Sequence, residues 1–156
     1  MTRIRIGQRW KREPSASPLD SIALELDGVD LLSGAVEESL AEVVPALVRA
    51  VASLRTGGRP MAQVSLAEAH LELVLRRVGA EVELLVVSLA RPARLMRPPV
   101  RVDAEELTEA VKTTGARFLA DVTQVAPKSV SAPLAQALAE PLKQLARPSR
   151  PPDEEP

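Results

Sequence analysis

LELVLRRVGAEVELLVVS, residues 71–88, is the stretch whose reading decides the fold. Leu71, Leu73 and Leu75 alternate with Glu72, Val74 and Arg76; beyond Val78-Gly79-Ala80, Val82, Leu84 and Val86 alternate with Glu81, Glu83, Leu85 and Val87. Side chains on a strand point to opposite faces in turn, so two period-two runs joined by a short glycine turn predict a β-hairpin with one buried face. Val74, Leu85 and Val87 keep the second face apolar as well. Such a face needs cover, from elsewhere in the chain or from another copy.

Upstream, Ala62, Val64 and Leu66 alternate with Gln63 and Ser65, which predicts a bent strand or two short strands broken at Ala67 to Ala69. Downstream, Arg91-Pro92-Ala93-Arg94 reads as a turn, Leu95-Met96 as a short strand and Pro98-Pro99 as a rigid interruption. Val100 and Val102 then suit an edge, because the prolines before them lack amide donors. At the amino terminus Ile4 and Ile6 interleave with Arg3 and Arg5 in a first strand whose basic outer residues fit an exposed edge. Glu13 to Pro18 is loop by composition. Ile22, Leu24 and Leu26 form a second strand running into an Asp27-Gly28 turn, with Val29 and Leu31 a further short one.

Three segments carry helical spacing. After Ser33, placed to cap, Val36, Leu40, Val43, Leu47, Val51 and Leu54 recur on one face and Glu37, Glu38 and Glu42 on another. That predicts a helix of about 20 residues. Pro45 should kink it near Ala41 to Pro45, and Gly57-Gly58 should end it. Asp103, with Glu106 three residues on, starts a second helix along Leu107, Val111, Thr114, Phe118, Val122 and Val125, stopped by Pro127. Gly115 on this stripe costs roughly 1 kcal/mol in helix propensity, which a close contact with the sheet would offset. A short third helix from Ser131 and Pro133 has Leu134, Leu138, Leu142 and Leu145 as its seam, interrupted by Pro141.

The order predicts an α+β fold: an antiparallel sheet of roughly four to six strands, two long helices packed on one face, and a short C-terminal helix. Residues 1–146 are read as a single domain; residues 147–156, rich in proline and acid after Arg150, as a disordered tail or the start of a linker. The central hairpin argues against a doubly wound parallel fold, whose strands would need repeated helical crossovers.

The chain has 156 residues, no cysteine and a net charge of −1. Without cysteine there is no disulfide framework and no thiolate nucleophile or ligand, which favours a cytoplasmic setting. The amino terminus lacks the apolar run of a signal peptide, and no stretch is long enough to span a bilayer, so no membrane role is expected. Residues 1–13 carry five basic side chains and one acidic, while residues 20–48 carry seven acidic and none basic, a segregation suited either to internal neutralisation or to docking between copies. Trp10 and Phe118 are the only aromatic residues, and the positive charge is not gathered in one place, which argues against nucleic acid.

Catalytic combinations are wanting. His70, the only histidine, would share one side of a strand with Glu68 and Glu72, but its simplest place is a solvated sheet face. Ser21, Ser65, Ser88 and Ser129 have no nucleophile signature around them. Arg55-Thr56-Gly57-Gly58-Arg59 follows a helix and lacks the lysine-hydroxyl pair of a phosphate loop. Glu37, Glu38 and Glu42 read as a solvated acidic face, and Glu81 and Glu83 have no partner acid. No catalytic residue, metal or cofactor is therefore expected. Arg91, Arg94, Arg97 and Arg101 form the densest basic series outside the amino terminus and are candidates for an anion or an acidic partner.

These features predict a non-enzymatic protein–protein interaction or adaptor domain, fit to be a component of a larger assembly, whose partner is itself or another protein. Val74, Leu85 and Val87 are the interface candidates, joined by Leu134, Leu138 and Leu142 unless the third helix instead lids that face. The alternative is a small-molecule-binding or small enzymatic domain with a pocket between the sheet and the two long helices. Gly115 and Pro45 would open the space there, and Arg94 or Arg97 would orient an anion.

Overall fold

A computed structural model describes residues 1–14, 18–55 and 59–147. The Gly57-Gly58 helix stop, the middle of the Glu13 to Pro18 loop and the tail beyond Arg147 lie outside the described residues. The first sheet is built from β1 (Thr2–Ile6), β2 (Leu19–Leu26), β3 (Val29–Asp30) and β4 (Val36–Ser39), with a 3-10 turn at Arg9–Lys11 after β1. Helix α1 (Leu40–Arg55) leads to a second sheet of β5 (Met61–Leu66), β6 (Leu71–Val78), β7 (Glu81–Ser88), β8 (Arg94–Leu95) and β9 (Val100–Asp103). Helices α2 (Ala104–Val125) and α3 (Lys128–Ala146) complete the described chain.

The class is α+β with antiparallel strands, divided between sheets of four and five strands. In the first, β2 is central: β1 pairs along one side, while β4 and β3 share the other. In the second, β5, β6 and β7 form a meander, and β8 and β9 divide the far side of β7. The hairpin pairs Leu75 with Leu84, Leu73 with Val86 and Val78 with Glu81. Gly79 holds φ at 62° in its two-residue turn, the conformation that a II′ hairpin turn asks of its first residue. The break between β5 and β6 is a four-residue turn closed by His70, at φ 53°.

Residues 36–39 differ from the helical expectation. Val36 pairs with Ile22 and Ser39 with Leu19, so the helix begins only at Leu40 and has 16 residues. Val36 and Leu40 lie four apart, which suits a helix face as well as the end of a strand, and pairing with β2 decides between them. The third helix is longer than expected, running 19 residues from Lys128 with Pro133 and Pro141 inside it. Asp103 caps α2 as anticipated, its carboxylate accepting from the Glu106 amide at 3.0 Å.

α1 packs on β5 and β6 of one sheet and on β2 and β4 of the other, while α2 lies against β1, β7 and β9. α3 packs on α1 and α2. One apolar cluster joins them, from Ile22 and Leu26 through Leu40 and Val48 to Leu73, Leu75, Leu84 and Leu138. Each such side chain taken from water contributes roughly 1.5–3 kcal/mol. Gly115 lies at the crossing of the three helices, not against a sheet: a Cβ there would stand 2.8 Å from Val48 Cγ2 and 3.3 Å from Leu142 Cδ2. The space imagined for a pocket at Gly115 is therefore filled by side chains of α1 and α3.

Candidate interaction surface

Alternation along the strands sorts the outward residues of the second sheet into rows. Met61, Arg76, Glu83 and Arg101 form one; Gln63, Val74 and Leu85 the next; Ser65, Glu72, Val87 and Leu95 the third. The inward residues Val64, Leu66, Leu73, Leu75, Val82, Leu84, Val86 and Val102 are core. Val74, Leu85 and Val87 are half-buried but do not belong to the core cluster or pack on it, and Leu95 beside Val87 is 47 % exposed. Sequence reasoning placed the first three on this face but missed Leu95 and Met61, because a two-residue strand and a strand's first residue give too short a pattern to assign a side.

Polar groups border the row. Glu83 accepts from Arg76 Nη2 at 2.8 Å and from Arg101 Nε at 3.2 Å, a three-residue ion network across β6, β7 and β9. Both arginines are about half exposed, so the pairs add little stability, but they fix where positive charge stands on the face. Glu72 marks the opposite border.

The lid reading of α3 fails on topology. Leu134 and Leu138 are buried and Leu142 half-buried on the side that meets α1 and α2, so the first two belong to the chain's own interior and not to an interface. The arginine series is likewise dispersed. Arg101 is held by Glu83, and Arg97 donates to the Asp30 carbonyl at 2.6 Å, tying the approach to β9 to the first sheet. Arg91 and Arg94 are exposed and carry no ion pair among the described residues. Nothing brings the four to a common anion.

His70, Glu68 and Glu72 do not share a strand side, since His70 and Glu68 fall in the turn before β6 and His70 is exposed. Glu37 and Glu38 are strand residues, not part of a helical acidic face. Glu38 is 1 % exposed, its carboxylate accepting from the amides of Glu68 at 3.0 Å and Ala69 at 2.8 Å. Asp20 is also buried and accepts from the Trp10 amide at 2.9 Å and the Ser21 amide at 2.7 Å, with Arg9 nearby at 3.4 Å. Burial pushes the Asp20 carboxyl upward, but these donors outweigh it and hold the group below the usual carboxylate value. Both acids brace the fold, and no signal in the sequence set them apart from solvated ones.

Among the clefts on the surface, one of about 380 Å³ lies between β1, the 3-10 turn and α2, where Trp10 and Phe118 meet edge to face with ring centres 5.4 Å apart. Another, about 320 Å³, runs between α1 and β5. No described helix is long and apolar enough to cross a membrane. Comparison with protein-family models, curated proteins and solved structures finds no match.

Proposed function

We propose that this chain is a protein–protein interaction module that associates with a second copy of itself through the outer face of the five-stranded sheet. One observation carries the reading: the apolar row of Val74 and Leu85, continued by Val87 and Leu95, has no cover among the described residues and is bordered by opposite charges. Along β6, Glu72 and Arg76 stand two residues either side of Val74. A two-fold axis lying in the face, across the strands at Val74, sets Val74 over Val74 and Leu85 over Leu85. It also sets Glu72 of each copy over Arg76 of the other, so the charges either side of Val74 are complementary, while Glu83 comes over Val87 and Arg101 over Leu95 at the margin.

The extent of the face fixes the expected strength. Four strand positions about 4.8 Å apart and up to about 27 Å long present roughly 500 Å² per copy. That is below the roughly 800 Å² per partner of a standard stable interface, so the dimer should be weak, with a dissociation constant on the order of micromolar or above. Sedimentation velocity across the micromolar and millimolar ranges should show monomer giving way to dimer. Leu85→Lys should weaken the dimer by roughly tenfold or more while circular dichroism stays unchanged, because the residue lies outside the core. A wild-type chain that remains monomeric throughout would end the proposal.

A further inference from the structure

The hydrogen-bond alternation of the second sheet shows which groups its first strand leaves open. The Arg77 amide donates to the Pro60 carbonyl at 2.9 Å, so Ala62, Val64 and Leu66 turn their backbone groups toward β6. The bond from the Leu89 amide to the His70 carbonyl, also 2.9 Å, sets the matching alternation on the β7 side. Met61, Gln63 and Ser65 therefore turn amide and carbonyl outward, and none of them has a backbone partner among the described residues.

Open edges invite pairing, and folded chains blunt them with charge, proline or shortness. Three of the four edges here are blunted. β1 carries Arg3 and Arg5; the opposite edge of its sheet is split into β3 and β4, of two and four residues. The far edge of the second sheet is split into β8 and β9, again two and four residues, with Pro98 and Pro99 between. β5 alone is different: six residues in unbroken register, with no charge and no proline inside it.

α1 runs beside that edge. Ala46, Arg49, Ala50 and Ser53, spaced to share one helical face, stand across from Arg59, Met61, Ala62 and Gln63 and bound the groove of about 320 Å³. The small residues keep the helical wall low enough for another backbone. Arg49 and Arg59 are exposed and without an ion pair among the described residues, and no acid lines the groove.

We infer that β5 and α1 form a docking groove for an extended acidic segment of another protein, which adds to the sheet as a further strand. Its backbone pairs with Met61, Gln63 and Ser65, a small side chain rests beside Ala46 and Ala50, and its carboxylates reach Arg49 and Arg59. A second copy suits the groove poorly. Met61–Leu66 holds no acid, and two-fold pairing would bring the arginines of both copies to one seam. The groove adjoins the Val74 and Leu85 face and shares Met61 and Gln63 with its β5 border, but the pairing uses backbone at the strand edge, so Leu85→Lys tells the two readings apart.

Selection of the full chain against a displayed random-octapeptide library tests this. Enriched peptides should carry Asp or Glu, and a labelled synthetic copy should bind by fluorescence anisotropy. The Arg49→Glu/Arg59→Glu double variant should weaken that binding by roughly tenfold or more, which corresponds to about 1.4 kcal/mol. Gln63→Pro should do the same, because it removes an outward amide at a position where an edge tolerates proline. Leu85→Lys should leave it unchanged. Should Gln63→Pro disturb the fold, amide exchange in the wild type gives the independent readout: bound peptide should slow exchange at Met61, Gln63 and Ser65. The inference is overturned if nothing is enriched, if enriched peptides lack acids, or if binding leaves those amides unprotected.

Discussion

Asp20 shows how one side chain can govern a junction. Its carboxylate fills the space that Gly7 leaves, where a Cβ would come within 2.0 Å of Oδ1, and it satisfies the Trp10 amide within the 3-10 turn. Because the folded group titrates below its unfolded value of about 3.9, it stabilises the fold fully above that pH, and the contribution is lost as pH falls through the lower folded value. Asp20→Asn should therefore cost roughly 2 kcal/mol at pH 7, with the gap from wild type closing below about pH 4. Urea unfolding at several pH values measures this, and a gap that is the same at every pH would contradict it. Little of this was legible in the sequence. Residue 20 precedes the alternating run at Ile22, Leu24 and Leu26, and an acid in a mixed segment reads as solvated unless its donors, here ten and one residues away, are known.

At the scale of elements, the hairpin of β6 and β7 was legible because its period continues for eight residues on each side of Gly79, long enough to exclude helical spacing. β4 was not, because four residues ending in Ser39 match both periods and only the pairing with β2 selects one. Helix packing was hidden for a related reason: Gly115 announces a close neighbour but not which. The neighbours are Val48 and Leu142, and the cost of glycine is offset by letting α1, α2 and α3 approach. Gly115→Ala gains roughly 1 kcal/mol in propensity and incurs roughly 1–3 kcal/mol of overpacking, for a net loss of about 1 kcal/mol. Val48 is β-branched and buried, so it cannot swing aside. In a double-mutant cycle by chemical denaturation, Gly115→Ala should cost less in a Val48→Ala background, and strict additivity would mean the two residues do not crowd each other.

On the scale of the whole molecule, the division into two sheets was beyond local pattern, since it depends on which strands meet across dozens of residues. The connection between them is made by few groups. Besides the shared helices, Glu38 of β4 reaches across to the Glu68 and Ala69 amides, and Arg97 reaches back to the Asp30 carbonyl. Glu38→Ala removes a buried charged acceptor from two amides and should cost roughly 2–3 kcal/mol. Glu38→Gln, which keeps one carbonyl acceptor, should cost less. The single cluster running from Ile22 to Leu84 implies that both sheets unfold together, so the loss should appear as one lowered transition. Trp10, buried against Phe118 beside the first sheet, reports that side by fluorescence, while far-ultraviolet circular dichroism reports both sheets and the helices. In Glu38→Ala the two signals should still coincide at a lower urea midpoint. If fluorescence persisted after the dichroism had partly decayed, the second sheet would be melting by itself, and the Glu38 bridge, not the common core, would be what couples the halves.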